Sequence, residues 1–371
     1  MKVLHVYRTY FPDTQGGAEE VVRQICRNTK HQGVESRVFY PSSNPNPTIL
    51  ESDEGQLIRV KKNFEIASCG FCFGGFGEFQ RQVDWANIVH YHFPWPFADL
   101  MHLATKVRRP SVVTYHSDIV RQRLLGSIYS PLMNHFLGSM DRIIATSQNY
   151  ADSSDILKAY PEKISVIPLG IDESSYPNAD QEDLERVEQV FGRDFFLFIG
   201  VWRYYKGLQF LLEALQDAPY KAVIVGTGPK EQQLKNMARK LGLTNVTFPG
   251  YVDDQTKIAL LKLSRAFVLP SHLRAEAFGV TLLESAMAGK PMISTEVGTG
   301  TSYINLDRET GLVVNPGDPQ ALRNAMDYLH SEPEESARLG RNARSRFDRQ
   351  FTGELMAQSY KAVYQDLLGG P

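Results

Sequence analysis

The chain has 371 residues, a formal net charge of −2 and 42% hydrophobic side chains, enough to core two domains. The charge argues against a nucleic-acid binder, which carries a basic excess. No apolar run approaches the ~18 residues of a membrane span. Three cysteines fit a reducing compartment rather than a disulfide scaffold.

The N-terminus, Met1 to Tyr7, is too short and too soon polar for a signal peptide and reads as a first strand over 3–7. Further strand-like runs lie at 36–40, 88–92, 111–115, 142–146 and 164–168, with a helical pattern at 18–30. Gly16 and Gly17 stand between the first strand and that helix, where glycine lets a backbone approach a phosphate or a sugar. His116 ends the run at 111–115, a place where ligands gather in parallel sheets. His90 and His92 end the run at 88–92 and read as satisfied core histidines; the alternatives are that they face the acceptor or form a metal site with His116. Cys69 and Cys72 have the CxxC spacing, but Phe73-Gly74-Gly75 follows rather than a helix, so they read as loop cysteines.

A polar, turn-rich stretch at 170–180 reads as a linker. The second half repeats the alternation, with strands expected at 195–200, 222–226, 246–249, 266–269, 292–294 and 311–314, and a final helix at 351–368. Alternating strands and helices imply parallel sheets covered on both faces.

Two segments of the second half carry the chemistry. After its first strand comes Gly200-Val201-Trp202-Arg203-Tyr204-Tyr205-Lys206-Gly207. Arg203 and Lys206 can meet a diphosphate leaving group, whose negative charge grows as its bond to a sugar breaks. After the strand at 266–269 come Glu276 and, eight positions on, Glu284, with Gly279 opening a helix over 280–288. Backbone N–H groups from Phe278, Gly279, Val280, Thr281 and Leu282, with the helix dipole, invite an anion. Carboxylates on either side accept hydrogen bonds from sugar and ribose hydroxyls.

This Glu-(seven residues)-Glu pattern with its neighbours resembles the retaining glycosyltransferases of family 4, in particular bacterial GDP-mannose-dependent mannosyltransferases of cell-surface polysaccharide (O-antigen) assembly. The resemblance spans nearly the whole chain. It implies an α/β GT-B fold, two Rossmann-like domains with parallel sheets facing across an interdomain cleft. The acceptor-binding domain would be 1–172, the donor-binding domain 173–351, with a crossover helix at 352–371 packing back. It implies that Arg203 and Lys206 hold the donor diphosphate, Glu276 orients sugar hydroxyls, Glu284 holds the ribose, His116 lies near the donor 6-hydroxyl, and Gly16 and Gly17 reach the donor phosphate or acceptor. Gly226 and Tyr251 fall in loops next to the phosphate and the nucleobase. The loop Gly298-Thr299-Gly300 departs from the commoner Pro-containing form and leaves its phosphate contacts open.

The expected reaction is transfer of mannose from GDP-mannose to a glycan or polyprenyl-diphosphate-linked acceptor, with no metal and no cofactor. A UDP-sugar-dependent transferase is the alternative; a nucleotide-sugar epimerase or a non-catalytic sensor lacks support from the full Arg203, Lys206, Glu276 and Glu284 set. The apolar stretch at 69–77, the aromatic stretch at 93–97 and a basic segment at 118–140 with Arg121 and Arg123 suit contact with the inner face of the plasma membrane by a cytoplasmic enzyme. Core packing explains the aromatics equally well.

Overall fold

The computed structural model describes residues 1–66, 69–118 and 123–369, without the side chains of 123–128. The chain divides into unit 1, Met1–Gly170 with Gly353–Pro371, and unit 2, Ile171–Thr352. Residues 171, 172 and 352 therefore fall on the other side of the boundaries expected from sequence.

Unit 1 is built on an eight-stranded sheet: β1 Lys2–Val6, β2 Glu35–Ser42, β3 Ile49–Ser52, β4 Gly55–Lys61, β7 Ile88–Phe93, β8 Ser111–Tyr115, β9 Arg142–Ala145 and β10 Ile164–Val166. Strands β5 (Phe64–Ile66) and β6 (Cys69–Phe71) form a separate antiparallel ribbon. The large sheet runs β10-β9-β8-β7-β1-β2-β4-β3, parallel except between β3 and β4. Strands β7 and β8 are buried along their whole length, as parallel strands covered on both faces must be. Helices α1 Gly17–Lys30, α2 Phe76–Trp85, α3 Pro96–Thr105, α4 Arg123–Ser139 and α5 Gln148–Ser153 flank it. The C-terminal helix Gly353–Leu367 packs on α1 within unit 1. Its buried Tyr360 and Tyr364 reach the sheet through hydroxyl contacts to Thr114 Oγ1 (2.9 Å) and His90 Nδ1 (2.7 Å).

Unit 2 has a six-stranded, all-parallel sheet in the order β13-β12-β11-β14-β15-β16. Its strands are β11 Phe196–Ile199, β12 Ala222–Val225, β13 Val246–Gly250, β14 Ala266–Leu269, β15 Met292–Thr295 and β16 Gly311–Val314. Helices α6 Gln181–Phe191, α7 Leu208–Ala214, α8 Glu231–Lys240, α9 Asp254–Leu263, α10 Val280–Met287, α11 Thr301–Ile304, α12 Pro319–Ser331 and α13 Pro333–Gln350 complete it. Asp180 and Asp183 close a reciprocal capping box on α6, and Asp318 caps α12 just before Pro319.

In unit 1 the chain leaves β1 for β2 on one side and later returns to β7 on the other; in unit 2 the same reversal lies between β11 and β14. Ligands of open parallel sheets bind outside the carboxyl ends of strands at such a switch point. The carboxyl ends of β11 and β14 lead directly into the two charged segments singled out above.

Two expectations need correction. Phe73–Gly75 is not free of helix: it forms one 3₁₀ turn that runs into α2. Strands β3 to β6 were not expected at all. Of the basic segment at 118–140, Arg121 and the side chain of Arg123 lie outside the described residues.

Candidate functional site

Trp202 anchors the loop after β11. Its indole is fully buried, its backbone N–H donates to Thr227 O at 2.8 Å, and its Nε1–H donates to Val225 O at 3.3 Å. Gly207 then turns the chain with φ +70°, and a Cβ there would stand 1.9 Å from Pro270 O. Only glycine permits both that φ and that approach. The loops after β11 and β14 are thereby pressed together, backbone on backbone.

The outcome is a buried ion pair. Lys206 Nζ lies 2.6 Å from Glu276 Oε2, and Ser271 donates its hydroxyl to the same oxygen at 2.8 Å. Lys206 is 8% exposed and Glu276 7%. Burial pulls the Lys206 ammonium down, the Glu276 carboxylate with Tyr205 outweighs it, and the net shift is upward. Arg203 is exposed, and its side chain has no hydrogen-bond or ion-pair partner among the described residues. It is close enough to Lys206 to oppose that lysine's charge.

Gly279 opens α10 in the left-handed region, φ +93°, and no side chain among the described residues caps the helix. The Leu282 N–H is turned back onto Gly279 O at 2.8 Å. Leu282 therefore drops out of the expected anion seat, which reduces to the start of the helix. The Thr281 hydroxyl is enclosed there without a partner among the described residues. Phe278 is buried against Gly300, where a Cβ would lie 2.4 Å from its ring. The loop after β15 is tied to this wall by Thr299 Oγ1 donating to Glu276 O at 2.6 Å and Gly300 N–H to Ala277 O at 2.9 Å. The Gly298 N–H goes to Glu296 Oε1 at 2.9 Å and is not open to a phosphate.

Glu284, one turn into α10, is 6% exposed. Its Oε1 accepts from Tyr176 OH and from Lys257 Nζ, both at 3.1 Å, and Lys257 also meets Asp254 Oδ1 at 2.8 Å. Burial pulls Lys257 down, but Glu284 and Asp254 outweigh it and raise it strongly. Glu284 Oε2 has no partner among the described residues.

At the unit 1 switch point, His116 is partly exposed just past β8, its N–H held by Phe93 O at 3.1 Å. Its Nε2 lies 3.0 Å from His92 Nδ1, and His92 Nε2 lies 3.0 Å from His5 Nδ1. His5, His90 and His92 bring ring nitrogens near enough to suit a metal. Yet both His90 nitrogens are engaged, by Tyr364 OH and Thr114 Oγ1 at 2.7 Å each, and both His92 nitrogens are engaged by other histidines. Gly16 caps α1 in extended backbone, φ −172°, and nothing lies within 4 Å of where a Gly17 Cβ would stand. Local packing therefore does not require glycine at 17.

Comparison with known proteins follows these sites along the chain. The family model described as "Glycosyltransferase Family 4" matches residues 15–175, and that described as "Glycosyl transferases group 1" matches residues 180–346. A D-rhamnosyltransferase, WbpZ of Pseudomonas aeruginosa, is 50% identical over 95% of this chain and 92% of its own. The O-antigen chain mannosyltransferase C of Escherichia coli is 44% identical over 99% of both chains. Among solved structures, sucrose-phosphate synthase of Thermosynechococcus elongatus superposes with TM-score 0.82 at 21% identity over 99% of each chain. Anabaena HepE in complex with UDP-glucose gives TM-score 0.81 at 20% identity, covering 99% of this chain and 100% of its own.

The chain belongs to glycosyltransferase family 4. Its fold is GT-B.

Within this glycosyltransferase the expected residues separate into groups. Lys206 and Glu276 are in direct contact and Arg203 acts on Lys206, while Phe278, Gly279, Val280 and Thr281 follow Glu276 in the chain into the start of α10. Glu284 is bound up with Lys257 and Tyr176 instead. The Gly226 N–H is taken by Gly250 O at 2.8 Å, so that glycine serves the loop frame, while Tyr251 stands 75% exposed after β13. Sequence reasoning missed Ser271, Lys257, Tyr176 and His272. Both ring nitrogens of His272 are enclosed without partners among the described residues, its ring stands edge-on to Tyr204 and Phe210, and burial lowers its pKa. The signal available for Ser271 and His272 was their place directly past the end of β14.

Proposed function

We propose that this glycosyltransferase moves mannose, or its 6-deoxy analogue, from a GDP-sugar to a glycan acceptor with retention at the anomeric carbon. The observation that carries this reading is the Lys206–Glu276 pair at the unit 2 switch point, with Arg203 exposed beside it and the uncapped start of α10 next to it. As the bond from the anomeric carbon to the phosphate oxygen breaks, the leaving diphosphate gains charge. Arg203, Lys206 and the N–H groups of Gly279, Val280 and Thr281 stabilise that charge more than the ground state. An acceptor hydroxyl attacks the same face, and the departing phosphate oxygen takes its proton. Glu276, held by Lys206 and Ser271 through Oε2, offers Oε1 to the sugar hydroxyls. Glu284 offers Oε2 to the ribose. The same carboxylate, Glu276, acting as a covalent nucleophile is the rival route. The diphosphate charge is met by side chains and backbone in this scheme, so no metal is invoked.

The sugar is left between two hexoses by the relatives. One, at 44% identity, is a mannosyltransferase, and another, at 50%, transfers D-rhamnose, which lacks the 6-hydroxyl. O-antigen assembly is supported by the name of the mannosyltransferase relative; a lipid-linked acceptor, met by a cytoplasmic enzyme at the membrane face, is our extension of that reading. No described helix is long and apolar enough to cross a membrane. Exposed Phe64, Ile66 and Phe73 beside the β5–β6 ribbon supply an apolar surface for such contact.

A thermal-shift panel of GDP-mannose, GDP-D-rhamnose, UDP-glucose, UDP-N-acetylglucosamine, GDP and UDP tests the reading. Stabilisation by guanine ligands alone supports it. Stabilisation by the UDP set alone overturns the donor assignment.

A further inference from the structure

Three histidines of unit 1 form a continuous hydrogen-bonded row, His5 Nδ1 to His92 Nε2 and His92 Nδ1 to His116 Nε2, each step 3.0 Å. His5 and His92 are fully buried, and His116, at the outer end, is partly exposed. His90 stacks on His92 at 4.4 Å and leans tilted against His5 at 4.9 Å, but its own nitrogens go to hydroxyls and leave the row undisturbed.

A neutral imidazole has one N–H and one lone pair, so each ring in a row must point its proton the same way. The row has two settings. In one, every proton runs inward: His116 Nε2–H donates to His92, His92 Nε2–H donates to His5, and His5 Nε2–H is left over. In the other, His5 Nδ1–H donates to His92, His92 Nδ1–H donates to His116, and His116 carries its proton on Nδ1. The inner end decides. His5 Nε2 is enclosed and has no hydrogen-bond partner among the described residues. A buried N–H without an acceptor is rarer in proteins than a bare lone pair, so the second setting prevails.

We infer that the His5–His92 row fixes the tautomer of His116, so that His116 presents a Nδ1–H donor to an oxygen acceptor such as a sugar hydroxyl. The row is neutral: burial lowers His5 and His116 to about 3, and burial with neighbouring histidines lowers His92 well below its ordinary value. His116 therefore does not serve as a base at Nε2, which is occupied. His5 and His92 are positioning residues, acting through His116. The role given to the ligand rests on the proposed donor-sugar reading of His116; the tautomer does not.

Nitrogen-15 histidine NMR of the full chain, assigned with single His→Gln variants, reads each tautomer without any ligand. The expected spectrum has protonated Nδ1 and bare Nε2 at His5, His92 and His116; a protonated Nε2 at His116 overturns the inference. Kinetics with GDP-mannose supply the second readout. In His5→Phe the lock is removed, His116 becomes a mixture of tautomers, and kcat/KM falls several-fold, up to about tenfold. In His5→Asn the side-chain amide restores the donor at the Nδ1 position and returns kcat/KM to within about twofold of wild type. If His5→Phe folds and leaves the His116 spectrum unchanged, the row does not set the tautomer and the inference fails. If the tautomer is as expected but His116→Ala turns over GDP-mannose normally, the row stands and the donor-sugar reading of His116 is what fails.

Discussion

Replacing either partner of the Lys206–Glu276 pair leaves a buried charge without its counter-ion, and the size of that effect follows from the geometry. At 2.6 Å and an effective dielectric near 20, the attraction is about 6 kcal/mol. Desolvation of two ions that are 8% and 7% exposed offsets several kcal/mol of it, so the pair adds little net stability, whereas removing one member costs about 3 kcal/mol. For a unit of this size that is roughly 6–12 °C in Tm. Lys206→Met strands the carboxylate with Ser271 alone, and Glu276→Gln strands the ammonium. The double variant removes both charges and is expected to fall short of the summed losses by about 2 kcal/mol. The pH dependence separates the cases further. In the wild type Lys206 is raised above 10.5, so its contribution is complete below that pH and is lost as pH climbs beyond it. In Glu276→Gln the largest force opposing burial is gone and the lysine pKa is expected to fall below the unfolded value. The unfolded chain then binds the extra proton, and the variant becomes more stable as pH rises toward 10.5. Chemical denaturation of the four proteins between pH 7 and 10, with GDP titrations of each folded variant, measures all of this. Additive losses, or a Glu276→Gln variant that loses stability with rising pH, would refute the buried-pair argument; undiminished GDP affinity in Lys206→Met would refute the diphosphate role.

Three further outcomes are expected. Gly207→Ala forces a Cβ against Pro270 O at φ +70° and should cost about 2 kcal/mol or more, with a matching fall in turnover, read by denaturation and GDP release. His116→Ala should lower kcat/KM for GDP-mannose about tenfold while sparing a 6-deoxy donor, since the lost hydrogen bond has no counterpart there; equal losses with both donors would sink that placement. Asp99, buried with its carboxyl bonded by Tyr129 OH, is raised by burial to about 8. A raised folded pKa means the native state holds a proton the unfolded chain has released, so stability should decline from about pH 4 to pH 8. Asp99→Asn should flatten that slope in a Tm–pH series.

Strands of the two parallel sheets were legible because burial on both faces leaves runs such as Ala266 to Leu269, bounded by turn residues, with no competing pattern. The β3–β4 pair and the β5–β6 ribbon were not, because β3 is half-solvated and β5 and β6 have three residues each, too few for an alternation to register. The 3₁₀ turn at Phe73–Gly75 was hidden by its glycines, which argue for a loop. At the site, each charged residue could be found from its place after a strand. Their pairing could not: Lys206 and Glu276 meet because β11 and β14 are neighbours in the sheet, which is a fact of topology. The hold of Lys257 on Glu284 has the same origin, since a lysine at the start of the largely apolar helix α9 gives no local hint of which acid in a neighbouring element it meets.

The close approaches of Gly207 to Pro270 O and of Gly226 to Gly200 O, 1.9 Å and 2.0 Å from where a Cβ would stand, leave no room for a side chain between these loops. The separation of ammonium and carboxylate is thus dictated by main chain, and mutational drift in surrounding side chains has little leverage over it. Sugar preference can diverge around a pair that stays put, which accords with relatives at 50% and 44% identity that are named for different hexoses.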